Sequence, residues 1–378
     1  MKKILLPLIA LLTMATACGN TTEQFTEVAD TSMVLDTVMD LDADIGEMLM
    51  VGFRGTALDS TSHLWRDLTL FHVGSVILFD YDASTGQRGR NITSPQQVQS
   101  LCRQLRNVSP DLLIGIDQEG GRVSRLHQRY GFRAIPSAKQ SALAGEDSVR
   151  SCARLTAQML HEAGINLNFA PVADVDVNPD CPVIGKMERT FSASDEYVGT
   201  CCRIWIEEQR RQKVASCLKH FPGHGSASGD THKGLVDVSD TWQRRELSPY
   251  QRLAKEVPMV MTAHVINRQM DPKGLPASLS PTITAYLRDT LGFTGVIITD
   301  DMAMGAIVNE YSYETAVRMA IEAGADLLCL SNNGGTYDPE LAPKTVSIIK
   351  RLVADGTVSP TRLHASANRI RALKAALK

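Results

Sequence analysis

Eight short apolar runs, separated by amphipathic stretches, dominate the chain from residue 41 onward. They cover residues 50–53, 75–79, 112–116, 165–169, 214–218, 258–261, 296–298 and 326–330. Runs this short and this apolar suit strands buried on both faces, as in a parallel sheet. The stretches between them read as helices. Val149, Cys152, Ala153, Leu160 and Ala163 share one face of segment 147–163, and Gly164 supplies a C-cap. Segment 315–323 repeats the pattern before Gly324, and the basic tail 360–377 reads as a packing helix. Eight strands alternating with helices over about 330 residues match the count of an α/β, TIM-like (β/α)8 barrel. A doubly wound sheet is the alternative, but no Gly-x-Gly-x-x-Gly follows an early strand and no Walker loop is present.

A chain of 378 residues can bury a large core without disulfide or metal staples. With 39 basic against 42 acidic residues, the net charge of -3 gives no electrostatic reason to expect nucleic acid as a partner. Residues 1–17 have the layout of a signal peptide: Lys2 and Lys3, an apolar run 4–12, then small residues before Cys18. The run is too short to span a membrane. Residues 15–19 resemble a bacterial lipobox, with Ala15 where Leu is usual, which makes Cys18 the lipidated first residue of an exported lipoprotein. The plain alternative is a secretory signal with an incidental Cys. Residues 18–40, rich in Thr, Asp and Glu, read as the lipidated Cys and a flexible tether, and 41–378 as a single catalytic domain. This places the protein in the bacterial periplasm or outer membrane, touching the membrane only through the anchor. The other seven cysteines form no Cys-x-x-Cys pair and read as small buried hydrophobes.

Chemistry in a barrel gathers where strands end, and polar residues gather there here. Asp117-Gln118-Glu119-Gly120-Gly121-Arg122 follows the third run, and Asp174 and Asp176 the fourth. Lys219-His220 follows the fifth, His264 the sixth and Asp300-Asp301 the seventh. In segment 219–225 a strand is expected to end and a Pro/Gly turn to carry Lys219, His220 and His224 into a loop. Two His four apart invite a metal, but Pro222 and Gly223 forbid a helix and no third ligand is near, so no metal and no cofactor is expected. These groups can instead hydrogen-bond a polyhydroxylated substrate. In segment 229–234, Asp230 can orient His232 and tune it for proton transfer. Adjacent strand residues face opposite ways, so one of Asp300 and Asp301 is expected to face the pocket, with helix N-capping the bland role for Asp301. A strand-end carboxylate can serve as a nucleophile in acetal chemistry.

Taken in order, segments 117–125, 188–192, 219–225, 230–232 and 299–302 resemble glycoside hydrolase family 3, in its β-N-acetylglucosaminidase branch. The resemblance spans about residues 41–378 and implies a TIM-like barrel and a retaining mechanism through a covalent glycosyl-enzyme. It implies Asp300 as nucleophile, His232 as acid/base and Asp230 as its partner. It implies that Asp117, Arg125, Arg189, Lys219 and His220 hold the sugar. The expected function is removal of terminal non-reducing β-GlcNAc from peptidoglycan fragments or chitooligosaccharides, with a monomer as the expected assembly. A phosphorylase or a β-glucosidase on the same fold, and a non-catalytic carbohydrate-binding lipoprotein, are the alternatives.

Overall fold

The computed structural model describes residues 39–378. The signal peptide, Cys18 and all but the last two residues of the tether lie outside the described residues. Strands β1 (Leu49–Gly52), β2 (Ser75–Leu78), β3 (Leu113–Ile116), β4 (Leu167–Asn168), β5 (Ala215–Phe221), β6 (Met259–Thr262), β7 (Val296–Thr299) and β8 (Leu328–Leu330) form one parallel sheet in sequence order. β1 pairs with β8, Leu49 opposite Leu328, and a parallel bridge from Ile298 to Leu327 brings β7 onto β8. The eight apolar runs therefore become the eight staves of a barrel, and every strand residue is buried.

Two strands differ from the apolar runs. β4 is only two residues long, and asparagine side chains at 166 and 168 add hydrogen bonds toward the β3 segment. Asn166 Oδ1 accepts from the Ile114 amide at 2.7 Å, and Asn168 Oδ1 from the Gln118 amide at 3.0 Å. β5 runs three residues longer than its run, so Lys219 and His220 lie on the strand rather than in a loop after it. Both edges of that extension are engaged. The Lys219 carbonyl accepts from Ala173 at 2.7 Å, the Phe221 carbonyl accepts from Ala263 at 2.8 Å, and the Phe221 ring meets Tyr250 edge-on at 5.0 Å.

The helices form where their caps allow. Glu146–Ala163 ends on Gly164 at φ 82°, and Tyr313–Ala323 starts on the Ser312 hydroxyl and ends on Gly324. The tail helix Pro360–Ala376 lies across the strands' N-terminal ends, with Leu363 and Ile370 buried. There the fully buried Asp326 gathers Arg288, the Ser366 hydroxyl at 2.6 Å, Arg369 at 3.0 Å and the Ile297 amide at 2.9 Å, tying the tail to the β7–β8 seam. The seven cysteines are free thiols and all are buried, as small hydrophobes would be.

Candidate active site

At the opposite, C-terminal ends of the strands is a cavity of about 260 Å³. Asp117, Arg125, Arg189, Lys219, His220, His232 and Asp300 all line it, so residues spread over 184 positions of sequence meet in one place. Asp230 stands behind His232. His224 turns away from the cavity: its amide donates to Asp174 at 2.8 Å and its ring meets the Thr231 hydroxyl at 3.2 Å. It is therefore not among the sugar-facing groups expected of segment 219–225, and burial pushes its imidazole down to about 4.

One wall of the cavity is a buried ion cluster. Lys219 Nζ lies 2.8 Å from Asp117 and 2.7 Å from Glu119. Arg189 grips both Glu119 oxygens at 2.8 Å and donates to the Val183 carbonyl at 2.9 Å. Arg125 reaches Asp117 at 3.3 Å and stacks over Phe79. Burial alone would push both carboxyls up. The cations outweigh it, Lys219 and Arg125 at Asp117 and Arg189 and Lys219 at Glu119, and hold both below the usual carboxylate range. Burial likewise opposes the Lys219 charge, but Asp117 and Glu119 raise it above its ordinary value.

Beside the cluster, Asp174 is fully buried and lies 2.6 Å from His220 Nδ1. A carboxylate there accepts a hydrogen bond from Nδ1–H. That leaves His220 Nε2 as the acceptor for Arg189, 3.3 Å away. The imidazole is thereby locked in one tautomer facing the cavity.

Both carboxylates after β7 border the cavity, where one was expected to, but Asp301 is held by hydrogen bonds to its own side of the barrel. It accepts from the Ser331 amide at 3.1 Å, the Ser331 hydroxyl and the Ala303 amide, stitching β7 to β8 instead of capping a helix. The next helix starts only at Gly305. Among the described residues the Asp300 carboxylate accepts one hydrogen bond, from the Asp301 amide at 2.8 Å, and it borders the cavity. Burial pushes it up, but His264, His220 and His232 together with that amide hold it below its ordinary value, so it stays ionised near neutrality. His264 fixes the turn by donating from Nε2 to the Asp301 carbonyl at 2.9 Å. Asp230 holds His232 twice, ring Nδ1 at 2.8 Å and amide at 2.9 Å, while the imidazole itself is 64% exposed.

Glu119, Asp174 and His264 were not assigned roles from the sequence, although each stands just past a strand where polar residues gather. Arg189, His220 and Asp301, which they meet 37 to 70 positions away, become neighbours only when the barrel closes.

Behind the wall, Gly223 turns the chain at φ 124°, and a Cβ there would lie 2.7 Å from the Glu246 Cβ. Burial pushes the Glu246 carboxyl from 4.5 up to about 7. The folded state thus holds a proton that the unfolded chain releases, so stability falls as pH rises from about 4.5 to about 7 and is level above. That difference corresponds to about 3 kcal/mol. Glu246→Gln is therefore expected to raise the melting temperature over the parent at pH 8 and to leave it nearly unchanged at pH 4.5.

Residues 40–373 match the glycosyl hydrolase family 3 N terminal domain. A β-hexosaminidase of Pseudomonas aeruginosa is 34% identical over 300 residues, covering 78% of this chain and 85% of its own. One from Alkalilimnicola ehrlichii is 35% identical over 331 residues, covering 83% and 87%. Among solved structures, a glycoside hydrolase family 3 β-N-acetylglucosaminidase from Paenibacillus sp. superposes with a TM-score of 0.81 at 32% identity over 90% of this chain. This chain spans only 63% of that longer protein. A β-N-acetylhexosaminidase from Beutenbergia cavernae superposes with a TM-score of 0.78 at 28% identity, over 89% of this chain and 99% of its own. A match running through all eight strands, and relatives above 30% identity over most of their length, place the chain in glycosyl hydrolase family 3.

Proposed function

We propose that the protein is an exo-acting, retaining β-N-acetylglucosaminidase that removes terminal GlcNAc from peptidoglycan fragments or chitooligosaccharides. The observation that carries this reading is one cavity bordered by a strand-end carboxylate, Asp300, and by a carboxylate-held imidazole, His232. The names of the relatives supply the sugar.

In the first step an Asp300 oxygen bonds to the anomeric carbon as the glycosidic C–O bond breaks. His232 gives its proton to the departing oxygen. In the second, water attacks the same carbon, His232 takes the water proton, and the ester bond to Asp300 breaks to restore the carboxylate. Asp230 keeps the His232 ring oriented. Asp117 accepts from sugar hydroxyls, while Arg125, Arg189, Lys219 and His220 surround the ring with charge-assisted donors and one fixed imidazole. The small cavity, below the roughly 300 Å³ at which drug-sized pockets begin, fits a single terminal sugar. All these roles fall on one barrel, so a monomer suffices.

Incubating the enzyme with a GlcNAc-anhydro-MurNAc disaccharide and with chitobiose is expected to release free GlcNAc with or without phosphate. GlcNAc 1-phosphate as the main product in phosphate would make it a phosphorylase instead. The reading extends to an exported lipoprotein, on the strength of the pattern before Cys18. Cys18→Ser is expected to move the protein from the membrane fraction to the soluble fraction. Retention in the membrane fraction would count against the anchor.

A further inference from the structure

The loop carrying Asp230 and His232 is fastened to the segment carrying Asp300. Past Asp300 the chain turns through residues 301–304 into the short helix Gly305–Val308. The Gly305 amide donates to the His232 carbonyl at 3.1 Å and the Ala306 amide to the Thr231 carbonyl at 3.0 Å. Asn309 Nδ2 donates to the Lys233 carbonyl at 3.2 Å. Three successive carbonyls of the loop are thus held by donors within one stretch of five residues.

No side chain fits between the two segments. A Cβ on Gly305 would lie 2.6 Å from the His232 carbonyl oxygen and 2.7 Å from the Lys233 carbonyl carbon. Both are backbone atoms, so the loop itself would have to move. Alanine is ordinarily the better helix former, and the clash comes wholly from the loop. Among the described residues the His232 ring hydrogen-bonds only to Asp230, two residues away on the same loop, and it is largely exposed.

We propose that Gly305 is a positioning residue for proton transfer: its amide and its missing side chain seat the loop so that His232 stands over the cavity beside Asp300. This rests on the acid/base role given to His232 above. Displacing the loop would then weaken protonation of the leaving group and leave nucleophilic attack intact.

The test compares the parent with Gly305→Ala, Asn309→Ala and His232→Ala by kcat/KM, which reports the first chemical step. Two substrates are used: 2,4-dinitrophenyl β-GlcNAc, whose leaving group needs no proton, and chitobiose, whose leaving group does. Gly305→Ala is expected to lose roughly 10- to 100-fold on chitobiose and under about 3-fold on the dinitrophenyl glycoside, a part of the full general-acid contribution. Trypsin is expected to cut faster after Lys233. Asn309→Ala, at an exposed position, is expected to split the substrates in the same direction by a smaller factor. Equal losses on both substrates, or no loss on either, would overturn the proposal. Should Gly305→Ala not fold, Asn309→Ala decides by the same criterion. Absence of any split in His232→Ala would instead remove the acid/base role, and this proposal with it.

Discussion

Asp300→Asn is expected to lower kcat on an aryl β-GlcNAc by roughly 10⁴-fold or more, because in the proposed mechanism it removes the attacking oxygen. The same change is expected to leave the melting temperature close to that of the parent. Asp300 makes no ion pair among the described residues, and its one hydrogen bond, from the Asp301 amide, can be accepted equally by an asparagine oxygen. The neighbouring carboxylate gives the control. Asp301→Asn would disturb the Ser331 and Ala303 contacts that join β7 to β8, so its first effect is expected on stability. Activity loss without unfolding at 300, and unfolding ahead of activity loss at 301, would separate two carboxylates that are adjacent in sequence.

Lys219→Met is expected to be the most destabilising single change in the site. Lys219 is 2% exposed and is the cation shared by Asp117 and Glu119. Without it the buried Glu119 and the largely covered Asp117 lose a partner, which in buried pairs costs about 3–5 kcal/mol. Arg189 still pairs with Glu119, but Asp117 keeps only the longer contact to Arg125. Arg125→Leu gives the contrast: that side chain is 27% exposed, its ion pair to Asp117 is long at 3.3 Å, and a leucine can still pack on Phe79, so a loss of about 1 kcal/mol or less is expected. Thermal unfolding of both variants measures the difference. A Lys219→Met protein as stable as the parent would mean that the cluster contributes to binding alone.

The barrel was legible in the sequence because strands buried on both faces leave an unbroken apolar run, and seven of the eight runs needed only end adjustments. The fourth did not announce its length, and Asn166 and Asn168 add side-chain hydrogen bonds toward the β3 segment that periodicity does not register. The residues that line the cavity were legible as polar groups at strand ends. Their pairing was not. Nothing local says that Glu119 belongs to Arg189 or that Asp174 fixes the His220 tautomer, because those contacts exist only once distant strands are neighbours. His224 looked equivalent to His220 in sequence, but the turn at Gly223 sends it behind the wall. The fastening of the His232 loop by Gly305 was equally hidden, because a glycine after a strand carries no mark of the backbone that packs against it.

A covalent bond from Asp300 to the sugar would be trapped by incubating the enzyme with a fluorinated GlcNAc fluoride, whose ring fluorine slows both steps while the anomeric fluoride still leaves. Peptide mass spectrometry then reads where the sugar resides. One fluorinated GlcNAc per chain, on the peptide bearing Asp300 and absent from Asp300→Asn, is the predicted result. An active enzyme that carries no adduct, or carries it on another side chain, would contradict the account.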